Sequence, residues 1–335
     1  MTDILIRTDG HAGHITLNRP QALNALTWDM CLAIENAIDG WRHDDAVKLI
    51  IIDGAGERAF CSGGDIADMY ASGQNGDLDY GRKFWRDEYR LNSKLAHYPK
   101  PIATFLHGFT MGGGVGVGCH VSHRVVCENS QVAMPECTIG LVPDVGGTYL
   151  LARAPSFTGT YLGLTGARMS AGDAIFAGFA DHFIPQQYWD DIKSTLAHTG
   201  DIAALPKYAS PPAPLADKQA AIDAAFAADN LSDILLGPLD ADMQKPLYRN
   251  SPLGMACGVI LINRARKDGT INGALAQEYR FTHRAVEHSD FIEGIRAAII
   301  DKDRKPRWQA LTDAAVTNMI APLGSDAFEV TGETP

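Results

Sequence analysis

The sequence is poor in paired cysteines, in basic charge and in long apolar runs. Its six cysteines (Cys31, Cys61, Cys119, Cys127, Cys137 and Cys257) are scattered over 335 residues, and none forms a CxxC pair. That spacing fits no zinc site, and so few cysteines in so long a chain do not make a disulfide framework. Buried free thiols are expected instead. Lys and Arg number 29 against 40 Asp and Glu, for a formal net charge of −11. A nucleic-acid partner, which needs a basic surface, is excluded, and anionic membranes exert no general attraction. No stretch approaches the ~18 uninterrupted apolar residues of a spanning helix. Met1 to Arg7 opens on an apolar strand pattern without a basic n-region, an h-region or an Arg/Ser-rich transit segment. A soluble, cytoplasmic protein is therefore the expectation.

What is present is ample apolar material, 46% against 21% charged, enough to build a sizeable core. The length suits one large or two modest domains. Over residues 1–200, apolar strand runs alternate with helical spacing, so this part reads as α/β. Val47 to Asp53 and Ile102 to His107 are continuous apolar runs of buried strands. Thr27 is placed to cap a helix carrying Met30, Ile34 and Ile38, and a charged helix runs from about Tyr80 to His97. Pro206, Pro211, Pro212 and Pro214 mark a linker. Residues 201–335 then read as an α-helical region, with helical patterns at 216–228, 256–267, 275–288 and 290–300.

Many of the 33 glycines fall in clusters directly after strands: Gly54 to Gly64, and Gly108 to Gly114. Glycine permits positive φ and close backbone approach. A strand feeding a helix start leaves backbone N–H groups free, and two such turns facing each other can donate to one oxygen. The alternative is that the glycines only allow tight helix packing. Three familiar motifs fail. A dinucleotide fingerprint starting at Gly112 meets Val117 at its last position, and one starting at Gly114 meets Cys119. A P-loop lysine is missing. Gly108-x-Thr110-x-Gly112 has the outline of a nucleophile elbow, but with threonine in place of serine and no evident acid partner for a late histidine.

Two carboxylates follow the second glycine turn. Glu136 and Asp144 each follow a proline, and both lie near a glycine turn in sequence. Paired carboxylates are usual equipment for acid–base work. The competing reading makes them loop or cap residues, with Asp144 capping a helix that begins at Val145.

These segments together resemble the crotonase (enoyl-CoA hydratase/isomerase) superfamily. The resemblance is carried by Asn18-Arg19-Pro20, Asn24-Ala25-Leu26, the run Ala59 to Ile66, Met111-Gly112-Gly113-Gly114, and the run Gly140 to Gly147. Within the superfamily the chain is similar to the 3-hydroxyisobutyryl-CoA hydrolase branch. Phe84 to Tyr89 matches that branch's extra helix, and Phe291 to Arg296 with Pro306-Arg307-Trp308 matches its C-terminal signature. The resemblance implies a spiral of ββα units with a C-terminal helical extension, and an acyl-CoA thioester as substrate. It implies no cofactor, since coenzyme A is part of the substrate, and no metal. Trimers and hexamers are common in the superfamily, which implies a homo-oligomer unless the long C-terminal part covers the usual contact face.

The same resemblance implies roles for single residues. Gly64 and Gly113 supply the backbone N–H groups of an oxyanion hole, and Glu136 and Asp144 form the catalytic pair. Glu88 lies near the substrate hydroxyl. Arg19 lies near the coenzyme A phosphates, with a solvated surface arginine as the alternative. Hydratases of the superfamily use two glutamates, and this chain has Gly116 where they have the first. That departure favours hydrolysis of 3-hydroxyisobutyryl-CoA, a step of valine catabolism, over hydration. An isomerase or hydratase working with Glu136 alone, and a non-catalytic acyl-CoA binding subunit, are the competing expectations.

Overall fold

The computed structural model describes residues 2–329. Nine strands in this span form two sheets. The larger has the order β1 (Ile4–Asp9), β2 (Ala12–Leu17), β3 (Leu49–Gly54), β5 (Ile102–Leu106), β7 (His123–Val126) and β9 (His182–Phe183). The smaller has the order β4 (Ala59–Cys61), β6 (Phe109–Met111) and β8 (Gln131–Ala133). Among these strands only the β1–β2 hairpin is antiparallel; every later pairing is parallel. Three times the chain lays one strand in the large sheet, the next in the small sheet, and then a helix. This is the expected spiral of ββα units.

The helices of this part are α1 (Trp28–Arg42), α2 (Ala67–Gln74), α3 (Asp79–Ala96), α4 (Gly113–Gly118), α5 (Gly147–Arg153), α6 (Thr158–Thr165), α7 (Ala171–Phe176) and α8 (Trp189–Thr199). Thr27 caps α1 as expected, its hydroxyl accepting from the Met30 amide at 3.2 Å. β5 is buried at every residue, as a strand covered on both faces must be. The sequence reading did not place α8. Trp189 and Leu196 of this helix cover the outer face of the large sheet, with Trp189 edge-on to Phe105 at 5.1 Å.

The C-terminal region consists of α9 (Pro214–Asp217), α10 (Gln219–Phe226), α11 (Leu231–Leu235), α12 (Ala241–Arg249), α13 (Pro252–Asp268), α14 (Ile271–His288), α15 (Phe291–Ile295) and α16 (Asp313–Ile320). α13 starts four residues earlier than its apolar pattern suggests. Ser251 caps it and Pro252 occupies its first position, where a missing N–H costs nothing. The segment expected as one helix over 290–300 is α15 followed by a π-helical turn, Arg296–Ile300. One apolar core runs from Ile15 to Phe328, so these helices pack onto the spiral. No helix among the described residues is long and apolar enough to cross a membrane.

Two helices carry acidic side chains into the interior. On α3 the buried stripe runs Phe84, Trp85, Glu88, Tyr89, Leu91, Asn92, Leu95; on α14 it runs Ala274, Leu275, Glu278, Tyr279, Phe281, Thr282, Ala285. Each stripe holds a glutamate at apolar helical spacing.

Candidate active site

The small sheet sends each of its first two strands into a glycine turn. After β4 the chain passes Gly63 at φ +120, and after β6 it passes Gly112 at φ +49. Both conformations are rare for residues with a side chain. The turns face each other closely. A Cβ placed on Gly113 would lie 3.2 Å from the Gly64 nitrogen and 2.7 Å from Glu88 Oε1. A Cβ on Gly112 would lie 2.9 Å from Glu136 Oε1. A Cβ on Gly64 would meet nothing within 4 Å, because that direction opens into a cavity.

The cavity has a volume of about 410 Å³. Gly64, Gly113, Glu88, Glu136 and Asp144 all line it, together with Trp85, Phe84 and Phe291. Five residues spread over 64–144 in the chain thus meet at one place. Arg19 does not line it. Its guanidinium is held by Asp65 at 2.9 Å, by Asp3 at 3.4 Å and by the Ala25 carbonyl at 2.7 Å. Asp65 and Ala25 line the cavity, so Arg19 sits behind this part of its wall. Thr110 sits inside strand β6 and is fully buried. It is not on a strand-to-helix elbow, which removes the threonine-nucleophile reading.

Each carboxylate has its own setting. Glu136 opens a 3-10 turn, Glu136–Ile139, directly after Pro135, and its Oε2 has no protein partner. Glu88 comes from α3, and its Oε1 is likewise unpaired. Asp144 does not cap a helix starting at Val145, the alternative that its sequence position suggests. α5 begins at Gly147, and Val145 and Gly146 both sit at positive φ, +55 and +76. Instead Asp144 Oδ2 accepts from the Tyr89 hydroxyl at 2.8 Å, and Thr282 lies 3.4 Å beyond that hydroxyl.

Sequence reasoning missed Tyr89, Thr282 and Glu278 as members of the site. Glu278 reaches from α14 to accept from the amides of Gly146 at 2.8 Å and Thr148 at 3.0 Å, and from the Thr148 hydroxyl. The available signal was a glutamate in phase with the apolar stripe of an amphipathic helix.

Gly116 is informative in space as well as in sequence. A Cβ there would lie 2.8 Å from Asn92 Nδ2 and 2.9 Å from Val145 Cβ. Asn92 is fully buried, and neither end of its amide has a protein partner. The site that a hydratase glutamate would need is filled.

Among the described residues no lysine or arginine lines the cavity. Burial pushes Asp144 up to about 7. Burial, and then the charge of Asp144, hold Glu136 and Glu88 well above the usual carboxylate range. Burial pushes Glu278 up to about 8, against the pull of its three hydrogen bonds. The folded protein therefore binds these protons more tightly than the unfolded chain, and the stability they contribute falls as pH rises from about 4 through about 8. Asp53, Glu35 and Asp181 have the opposite shift: burial opposes it, but hydrogen bonds and charges from their His14, Arg90 and Arg124 partners outweigh burial, and they lose their contribution only in stronger acid. Burial holds His107, His120, His123 and His283 below the usual imidazole range, and their contribution grows as pH rises to about 6.5. Above that only the carboxyls act, and the melting temperature is expected to fall by several degrees between about pH 6.5 and about pH 8. A scanning-calorimetry series checks this; a flat or rising trend contradicts it.

A family model described as "Enoyl-CoA hydratase/isomerase" matches residues 12–321. The 3-hydroxyisobutyryl-CoA hydrolase, mitochondrial, of Danio rerio is 36% identical over 94% of this chain and 87% of its own length. The probable 3-hydroxyisobutyryl-CoA hydrolase 3 of Arabidopsis thaliana is 33% identical over 92% and 87%. Among solved structures, one titled an enoyl-CoA hydratase from Rhodobacter sphaeroides is 50% identical with a TM-score of 0.94, covering 98% of this chain and all of its own. One titled a carnitinyl-CoA dehydratase from Mycobacterium thermoresistibile is 38% identical with a TM-score of 0.93, covering 99% of each chain.

Proposed function

The chain belongs to the enoyl-CoA hydratase/isomerase family, and from that premise we propose that it hydrolyses a short-chain 3-hydroxyacyl-CoA thioester, 3-hydroxyisobutyryl-CoA, to 3-hydroxyisobutyrate and coenzyme A. Relatives named for this hydrolase over most of the chain support the reading. The observation that carries it is the carboxylate pattern: Glu136 and Asp144 share one cavity with Glu88, while Gly116 is packed shut. A hydratase reading draws on the titles of the two solved structures. It lacks the second glutamate that the superfamily's hydration chemistry uses.

In the proposed reaction the thioester oxygen sits between the amides of Gly64 and Gly113. Charge that grows on it in the tetrahedral intermediate is met by fixed, preorganised donors. Glu136 attacks the carbonyl to give a mixed anhydride, or takes a proton from an attacking water. The carbon–sulfur bond breaks, and the thiolate leaves with a proton delivered from the carboxyl pair; on the anhydride route a water that passes its proton to Asp144 then cleaves the anhydride, releasing the acid and restoring Glu136. Asp144, held by Tyr89, orients the substrate hydroxyl or the water, and Glu88 binds near the hydroxyl. Because one carboxylate raises the other, the pair is suited to hold a single proton near neutral pH, so one member acts as acid while its partner acts as base. No cofactor enters this scheme. Residues 1–200 supply the amides and the three buried carboxylates, and Phe291 and Ile299 of the C-terminal region line the pocket beside them. The reaction's place in valine breakdown and a cytoplasmic location belong to the same proposal; the vertebrate relatives carry "mitochondrial" in their names.

The test is thiol release over a panel of short acyl-CoA and 3-hydroxyacyl-CoA esters. Free coenzyme A from the 3-hydroxy esters supports hydrolysis. Water addition to enoyl esters without thiol release supports the hydratase reading, and binding without turnover supports a non-catalytic subunit. In single-turnover hydrolysis in heavy-oxygen water, label found in the Glu136 side chain establishes the anhydride route.

Gly64→Ala gives a more local prediction. The methyl meets no protein atom, so the fold and melting temperature are retained. It projects into the space reserved for the thioester, and kcat/KM is expected to fall about tenfold or more. A comparison of steady-state kinetics with thermal melts checks both halves.

A further inference from the structure

Asp144 lies on a turn that its own sequence does not favour. Val145 at φ +55 is a β-branched residue in the left-handed region, a strained conformation that persists only where the surroundings enforce it. The turn is gripped from two sides. His120, kept neutral by burial, which pushes it down to about 4, donates from Nε2 to the Val145 carbonyl at 2.8 Å. From the other side Glu278 of α14 takes the Gly146 amide, the Thr148 amide and the Thr148 hydroxyl. These are free donors at the start of α5, which has no capping side chain of its own. The same α14 carries Thr282, which stands behind the Tyr89 hydroxyl that holds Asp144.

A fully buried carboxylate without a cation is an expensive way to finish a seven-residue helix. A local serine or aspartate would cap it at lower cost. What Glu278 adds is rigidity between the C-terminal helix and the Asp144 turn. We propose that Glu278 is a positioning residue for the reaction: it locks the Val145–Gly146 turn so that the Asp144 carboxylate meets Tyr89 and faces Glu136 across the cavity. On this view α14 does more than cover the core. It sets the second member of the carboxyl pair, 134 positions before it in the chain.

The kinetic part of the test rests on the hydrolase reading; the structural part does not. Glu278→Gln keeps size and shape but turns one acceptor into a donor facing an amide N–H. Thr148→Val removes only the hydroxyl, and Thr148→Ser keeps it. For variants that are folded at the assay temperature, Glu278→Gln is expected to lower kcat about 10- to 100-fold, the cost of a small misplacement of a reacting group. Thr148→Val should lie between it and the wild type, and Thr148→Ser should be close to wild type. The dissociation constant for an unreactive acyl-CoA thioether is expected to change less than about threefold, because the pocket wall is intact. Crystal structures of Glu278→Gln and Thr148→Val should show the Asp144–Tyr89 contact opened from its 2.8 Å.

A wild-type kcat in folded Glu278→Gln overturns the proposal; should that variant not fold, a wild-type kcat in Thr148→Val does so. An equal loss of turnover and thioether binding overturns it too, since that marks general loosening of the pocket. Should the wild type release no thiol at all, the hydrolase reading fails, and the crystal structures still decide the positional role: an unmoved Asp144 in both variants rejects it.

Discussion

Glu136→Gln is expected to reduce thioester hydrolysis roughly a thousandfold, within the range that a positioned base or acid contributes, while the protein becomes harder to unfold. Both effects have one cause. Glu136 is a buried carboxyl with an unpaired oxygen, beside a second carboxyl, in a cavity that no lysine or arginine among the described residues lines. The energy spent on keeping it there serves the reaction, not the fold. Glutamine has the same shape and no charge to desolvate. At about pH 8, where the wild type bears most of the penalty, the variant should melt several degrees higher; at about pH 5 the two should nearly coincide. Thiol release and calorimetry on one preparation read both. Turnover close to wild type would remove Glu136 from the mechanism, and a lower melting temperature at both pH values would mean the carboxylate is structural.

Gly116→Glu restores in sequence the glutamate found in the superfamily's hydratases, and the expected result is loss of the folded protein rather than gain of hydration. The Cβ alone would press on Asn92 at 2.8 Å and Val145 at 2.9 Å. Overpacking of this kind costs about 1–3 kcal/mol, and an unpaired charge driven into the same space adds several more. Against a typical stability of about 5–15 kcal/mol, that is a large fraction of the whole. The strain falls on the Val145 turn, so residual folded protein should also have lost hydrolysis. Melting temperature and an enoyl-CoA hydration assay check this. A stable variant that hydrates enoyl-CoA would show that the chain is one substitution from a hydratase.

The spiral was legible because its signals are local. Buried parallel strands read as unbroken apolar runs, and glycine clusters after β4 and β6 mark turns that no other residue adopts easily. The clusters and the two carboxylates that follow prolines pointed to this region, and the family resemblance singled out Gly64, Gly113, Glu136 and Asp144, which the fold brings to one cavity. What escaped was non-local. Asp144 looked like a helix cap because it directly precedes Val145, where a helix was expected to begin; the helix begins two residues later. The cap is Glu278, supplied across 130 positions by a helix whose placement no local pattern reveals. For Arg19 the resemblance implied a place near the phosphates, and nothing local announces that Asp65 and Asp3 hold it. α8 went unread because only three of its eleven residues are buried, too sparse a stripe to stand out. Glu278, a glutamate in phase with the apolar stripe of α14, was the signal left unused.

Thiol release from 3-hydroxyisobutyryl-CoA by the wild-type protein, run beside hydration of the matching enoyl-CoA ester, tests the central claim most directly. Steady release of free coenzyme A that Glu136→Gln abolishes, with hydration much slower, is the predicted result. Rapid hydration with the thioester left intact would contradict it.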